Sequence, residues 1–205
     1  RALLGSGGAG VSLALPRKAK LSRFDRFLLR WKAKILLFLG QRARAREVFL
    51  ETLTLAPDDV LALNSLGYDA LQTGHPALAL PYFEQVLRLT PSASNAHFNV
   101  AFVCESLNRL DEAESAFRSA IAIEEKMDRA WYGLGLVYIR QKRFDDAVIA
   151  LKRNTQLQPM SPYAWYQLGR TYVEMKQPDE AKAVIAHLKG FEPKIAAQLA
   201  RETGL

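Results

Sequence analysis

Three histidines, one cysteine and two acidic pairs are the side chains of this sequence best suited to covalent or metal chemistry. His75, His97 and His187 stand far apart, and none has the CxxC or HExxH companion that a zinc site requires. No metal ligand set is expected. The pairs Asp111/Glu112 and Asp145/Asp146 are separated by the same interval as Pro57 and Pro91, which is a period rather than a site. Each falls at the expected start of a helix, where the helix dipole accounts for acids better than general acid–base work does. Cys104 has no second cysteine to pair with and reads as a small apolar core residue. The glycines from Gly5 to Gly10 precede no strand–helix unit, so they are a weak phosphate-loop signal. No catalytic residue and no cofactor are expected, and the chain reads as non-enzymatic.

The charge distribution points to another kind of chemistry. The net charge is +7, yet residues 1–46 alone carry +11, twelve Lys/Arg against Asp25, and the remainder carries −4. Arg17, Lys18, Lys20, Arg23, Arg26, Arg42, Arg44 and Arg46 make the expected basic surface. Such asymmetry suits an anionic contact: a membrane surface, an acidic protein subunit or nucleic acid. Nucleic acid is disfavoured, because the cluster is confined to one end and the rest is mildly acidic. No run of 18 apolar residues is present, so no spanning helix is expected, and a cytoplasmic or peripheral membrane location follows. The sequence begins at Arg1 rather than Met, which fits processing or trimming of an upstream segment.

The elements that must position these groups are helical. Residues 1–25 read as a basic, Gly/Ser-rich arm and a helix start, with Ser22 as N-cap and Asp25 completing a capping box. Phe24, Phe27, Leu28, Trp31, Ile35 and Phe38 then recur at near-helical spacing among Arg and Lys. Two readings fit this stretch: a basic amphipathic helix lying on anionic lipid, or an ordinary first helix of a repeat that buries its stripe on the next one with its charges solvated; the two are compatible if only the outer face meets lipid.

Beyond it, Pro57, Pro91, Pro159 and Pro193 stand on an evenly spaced ladder whose missing rung is Glu125. A pattern recurs with the ladder. It reads Leu63, Leu66, Gly67, Ala70, Ala79, Phe83, Pro91, then Trp131, Leu134, Gly135, Tyr138, Ala147, Leu151, Pro159. It returns as Trp165, Leu168, Gly169, Tyr172, Ala181, Ile185, Pro193. A rung spacing of this length predicts stacked helix–turn–helix units. Gly67, Gly135 and Gly169 cost about 1 kcal/mol each in a helix, so they should admit the paired helix closely. Ala79, Ala113, Ala147 and Ala181 are its small contact residues. Each Pro should end the second helix of its unit, with a softer stop and some change of curvature at Glu125. Pro81 is placed early in a second helix, where its missing N–H is tolerated. Residues 194–201 should form a short helix that caps the open end.

These residues resemble the tetratricopeptide repeat family, whose signature is Trp-x2-Leu-Gly-x2-Tyr followed by a small residue, a large apolar residue and a closing Pro. The resemblance implies an all-α, right-handed solenoid of about five repeats, 26–59, 60–93, 94–127, 128–161 and 162–195, then a C-terminal capping segment 196–205. It also implies that first helices line a concave groove for a partner protein segment. Carried over, the groove holds Arg30, Lys34, Asn64, Tyr68, Asn95, Phe98, Asn99, Phe102, Arg129, Tyr132, Arg140, Tyr166 and Arg170. Its Asn side chains could grip a peptide backbone, its aromatics could anchor apolar side chains, and its cations favour some acidic residues. The partner is therefore an extended or helical segment, apolar with some acidic residues. Of the family's chaperone-tail clamp, only Asn99 matches well and Arg129 partly, so recognition of a chaperone C-terminal carboxylate is not expected. The resemblance leaves oligomeric state open.

Overall fold

A computed structural model gives the fold of residues 22–205; the expected arm, with Arg17, Lys18 and Lys20, lies outside these described residues. Among the described residues there are eleven helices and no strand. They are α1 (Arg23–Phe38), α2 (Arg42–Leu55), α3 (Val60–Gln72), α4 (Pro76–Leu89), α5 (Ser94–Ser106) and α6 (Leu110–Ile123). Then follow α7 (Asp128–Arg140), α8 (Phe144–Leu157), α9 (Pro162–Glu174), α10 (Pro178–Lys189) and α11 (Pro193–Thr203). The chain divides into two compact units, Arg1–Pro57 and Asp58–Leu205.

In the first unit, α1 packs on α2. The expected capping box is present: the Ser22 hydroxyl accepts from the Asp25 N–H at 3.0 Å, and the Ser22 N–H donates to Asp25 Oδ2 at 3.2 Å. The side chains that α1 buries differ from one of the two sequence readings. Ala33 and Leu36 are inside, whereas Phe24, Phe27, Leu28, Trp31, Ile35 and Phe38 are exposed, Phe38 to 89%. The stripe is therefore not buried on α2. With 3.6 residues per turn, Leu29, Ala33 and Leu36 share one side of the helix, and the aromatic stripe lies on the opposite side.

The second unit is a solenoid. Its first helices α3, α5, α7 and α9 start at Val60, Ser94, Asp128 and Pro162, one rung interval apart, and the second helices α4, α6, α8 and α10 keep the same interval. Each second helix packs on the first helix of its own pair and on the first helix that follows. Ala79, Ala113, Ala147 and Ala181 are all essentially inaccessible, as the pattern predicts. A Cβ on Gly67 would come within 2.7 Å of the Phe83 ring, and one on Gly135 within 2.8 Å of Leu151, both on the paired helix. At Gly169 the nearest atom belongs to Leu199 of α11, at 2.6 Å, with Val184 of the paired helix at 3.3 Å. Gly133 is a fourth close approach, outside the signature: its Cβ would overlap the Phe117 ring on the preceding α6.

The turns inside the pairs repeat as closely as the helices. The N–H groups of Gln41, His75, Arg109, Arg143 and Gln177 each reach the carbonyl five residues back, at 2.8–2.9 Å. This is the Schellman closure, which needs a left-handed residue. Gly40, Gly74, Asn108, Lys142 and Lys176 supply it, with φ of 72°, 77°, 62°, 58° and 57°. Glycine and asparagine take this conformation readily, whereas a lysine there is strained.

Between pairs, the rung residue is tied through its carbonyl. Trp131 Nε1 donates to the Glu125 carbonyl at 2.8 Å, and Trp165 Nε1 to the Pro159 carbonyl at 2.9 Å. His97 Nε2 contacts the Pro91 carbonyl at 2.9 Å, so that nitrogen carries the proton. A carbonyl does not require proline, and α6 ends at Ile123, in register with α4 and α8. Two expectations about proline are corrected. Pro81 is the sixth residue of α4, beyond the first turn; it is exposed, so water can take the Ala77 carbonyl that loses its helical donor. Pro193 does not merely end α10, which stops at Lys189; it opens α11, where a missing N–H has no cost.

Relaxing the strained turns should stabilise the solenoid. Lys142→Gly and Lys176→Gly are each expected to raise stability by about 0.5–1 kcal/mol, additively because they lie in different turns. Gly74→Lys should act in the opposite direction. Urea unfolding of the single and double variants measures all three.

Candidate functional site: the first-helix face

The polar residues expected in the groove are largely joined to one another, in a row running from α3 to α11. Tyr68 donates its phenol proton to Asn99 Oδ1 at 2.9 Å, and Asn99 Nδ2 reaches Asn64 Oδ1 at 3.4 Å. Asn64 Nδ2 turns back to the Val60 carbonyl at 3.0 Å. Asn99 is buried, and its amide links α3 to α5 instead of facing solvent. Between α5 and α7, Arg129 donates to Asn95 Oδ1 and lies over the Phe98 ring, 4.4 Å from its centroid. Phe98 in turn meets Phe102 at 6.3 Å and Phe117 edge-on at 5.8 Å.

Arg140 closes the other end of the same helix pair. It donates to the Glu105 carbonyl at 2.7 Å, to the Glu105 carboxylate and to Asn108 Oδ1 at 2.7 Å. It thereby adds a second donor to the Glu105 carbonyl, which already accepts from the Asn108 N–H, at the α5 C-terminus, where a cation is favoured by the dipole. Burial pushes the Tyr132 phenol above its ordinary range, opposed by a hydrogen bond with Gln167 of α9. The last junction joins α9 to α11. Tyr166 donates to Glu202, which also accepts from Gln198 at 2.8 Å. That phenol hydrogen bond holds the Glu202 carboxyl below the usual range, and Arg170, 5.9 Å over the Tyr166 ring, adds to it. Helix α11 is thus more than a cap: it packs on both α10 and α9, occupying the place of a further first helix.

Three aromatics of this face stand in water: Tyr68 is 45% exposed, Phe102 44% and Tyr163 68%. Of the expected cations, Arg140 is paired with Glu105 and Arg170 lies near Glu202, while Arg129 meets an amide oxygen and a ring. Arg30 and Lys34 lie on α1 in the first compact unit, as do Arg23 and Arg26, and Arg42, Arg44 and Arg46 lie on α2. Several of the residues with catalytic potential have structural partners. Asp111 accepts from Gln141 at 3.0 Å, Glu112 pairs with Arg109 at 2.5 Å, and Asp146 pairs with Arg143 at 2.7 Å. Cys104 is buried, which raises its thiol pKa, and His187 lies against Trp165, with ring centroids 4.1 Å apart. Among the described residues, no group of three His, Cys, Asp or Glu is placed to hold a metal ion, and no helix is long and apolar enough to cross a membrane.

Sequence reasoning missed Glu202 and Gln198 as members of this row. The signal was available, since Glu202 stands 36 residues after Tyr166 and the other first-helix links span 31 to 35.

Profiles of the tetratricopeptide repeat match residues 65–128, 108–161 and 162–194. No curated protein matches the chain significantly. Among solved structures, a crystal structure of MamA is similar at 22% identity, with a TM-score of 0.76, over 83% of this chain and 93% of that one. YrrB, described as a TPR protein with an unusual peptide-binding site, is similar at 19% identity and a TM-score of 0.72, over 82% and 88%. PilW, described as a type IV pilus biogenesis factor, is similar at 22% and 0.71, over 89% and 91%. At these identities the likeness is one of fold.

The α3–α5 link makes a measurable prediction. Asn99→Ala should cost about 1–3 kcal/mol by leaving Tyr68 without its acceptor in a half-buried site. Tyr68→Phe should cost about 1 kcal/mol, and the double variant less than the two together. A double-mutant cycle by denaturant unfolding reads the coupling.

Proposed function

The chain belongs to the tetratricopeptide repeat family, and from that premise we propose that it is a non-catalytic scaffold that holds a partner protein segment on its first-helix face. Repeats of this family serve as protein-interaction scaffolds. One observation carries the assignment of the face. Hydrogen bonds join its helices to one another, yet Tyr68, Phe102 and Tyr163 stay exposed. Aromatics held on a rigid frame are the usual anchors of a protein interface. They lose little side-chain entropy on binding, because the frame is already ordered.

The partner is an extended or helical segment with apolar side chains for these aromatics. Its acidic content need be only small, since of the three expected cations on α7 and α9 Arg140 and Arg170 already have acidic neighbours in the chain, while Arg129 meets an amide oxygen and a ring. The neighbour with a peptide-binding site and the pilus biogenesis factor fit a role in holding or assembling other proteins. The basic N-terminal end supplies a second contact, with an anionic membrane surface or an acidic subunit. Nucleic acid is the weaker alternative, because phosphate contacts make no use of the large apolar side chains that α1 exposes.

A photoreactive phenylalanine analogue placed at Phe102 or Tyr163, in the native cell, should cross-link to the same protein. At Arg118, an exposed position on α6, it should not. Phe102→Ala and Tyr163→Ala should each weaken binding of the identified segment about tenfold, Tyr163→Ala with thermal unfolding unchanged and Phe102→Ala, which loses its contact with Phe98, with the fold confirmed by circular dichroism. A partner captured only at Arg118 would remove the first-helix face as the site.

A further inference from the structure

We propose that α1 is an interfacial helix that seats the protein on an anionic lipid surface, inserting its exposed apolar stripe at the boundary between headgroups and acyl chains. The proposal rests on the reading of the basic end as an anion contact and narrows that contact to one kind of surface.

The argument starts from the helix geometry. At about 100° per residue, Phe24, Phe27, Trp31, Ile35 and Phe38 fall within a narrow arc. Ala33 and Leu36, which α1 buries, lie on the other side. The helix therefore carries two apolar stripes, and packing in the fold uses one. The same angular count puts Arg23 and Lys34 along one edge of the exposed stripe and Lys32 along the other. A continuous stripe on a 16-residue helix is roughly 24 Å long, enough to lie in the plane of a headgroup layer.

Charge selects the occupant. Arg23, Lys32 and Lys34 on α1, with Arg42 and Arg44 at the start of α2, bring cations to this stretch, and its one acid, Asp25, accepts from the Ser22 N–H and hydroxyl in the cap. A surface that is at once apolar and strongly cationic matches a bilayer, whose anionic headgroups lie directly above hydrocarbon. Trp31, with Phe27 edge-on at 6.3 Å, supplies the amphipathic ring favoured at that depth. Long Lys and Arg stems let the charges reach the headgroups while the stripe sits deeper.

The test uses the whole chain with vesicles of phosphatidylcholine alone or with added phosphatidylglycerol. Polyglutamate serves as the acidic-polypeptide probe, and sedimentation velocity follows self-association. The expected result is co-sedimentation with anionic vesicles and little with neutral ones. Tryptophan emission should shift to the blue, and acyl-chain bromines should quench it. Both effects should vanish in Trp31→Phe while Trp131 and Trp165 remain. Phe27→Ser/Ile35→Ser, two exposed positions, should lower partitioning at least about tenfold, with circular dichroism confirming that α1 still forms. Vesicle binding that is indifferent to this double variant and gives no Trp31 signal would overturn the stripe as the contact. Polyglutamate binding without vesicle binding would overturn the lipid proposal but leave the basic end as an anion contact. Binding to neither probe would overturn both. Self-association lost in the double variant, without vesicle binding, would overturn the lipid proposal and assign the stripe to a second copy of the chain.

Discussion

A pair of antiparallel helices this short cannot cover both of its apolar sides, and the second unit of this protein follows from that. Each second helix is pressed between two first helices, which come close enough only where a small residue allows it. Ala79, Ala113, Ala147 and Ala181 occupy those places with almost no surface left to solvent. A bulkier side chain there would cost about 1–3 kcal/mol in overpacking. The complementary contacts are equally tight: Phe83 on Gly67, Leu151 on Gly135 and Phe117 on Gly133. These contacts require one length of chain per pair, and the turns, rungs and links between first helices inherit that length.

The two ends solve the problem of an uncovered side differently. At the C-terminus, α10 stops at Lys189 and Pro193 starts a helix that covers both members of the last pair. Leu199 then fills the space at Gly169, and Glu202 meets Tyr166. In the N-terminal unit, α1 has Ala33 and Leu36 inside and large aromatics outside. The last helix pair is finished by packing, whereas α1 displays apolar surface among cations.

Much of the fold could be read from residues that repeat. Helix starts in the second unit fall on the proline ladder because turn chemistry and small contact residues recur at fixed places. The left-handed turn position was less visible, since Gly40, Gly74 and Asn108 announce it but Lys142 and Lys176 do not. The rung at Glu125 looked defective because the side chain was weighed, whereas the structure uses the carbonyl. The members of the first-helix face could be placed by register, but not their partners. Whether Asn99 faces a ligand or Tyr68, and whether Arg140 is available or bound to Glu105, depends on side chains in the neighbouring repeat whose reach no single-helix pattern encodes. For α1 the difficulty was different. A helix with apolar residues on two sides gives competing signals: the larger aromatic stripe, and the repeat register that sets Leu29, Ala33 and Leu36 where Leu63, Gly67 and Ala70 stand.

The links along the first-helix face have a mechanical consequence. Tyr68 to Asn99, Arg129 to Asn95, Arg140 to Glu105 and Tyr166 to Glu202 each join one helix only to the next. None of these bonds skips a repeat; each is worth about 1 kcal/mol, and of the four only those of Arg129 and Arg140, which both join α5 to α7, share a junction. A load applied along the row is carried in series. The row would then yield at one joint at a time, as a zip fastener does, and a joint that has opened leaves its neighbours intact to close it again.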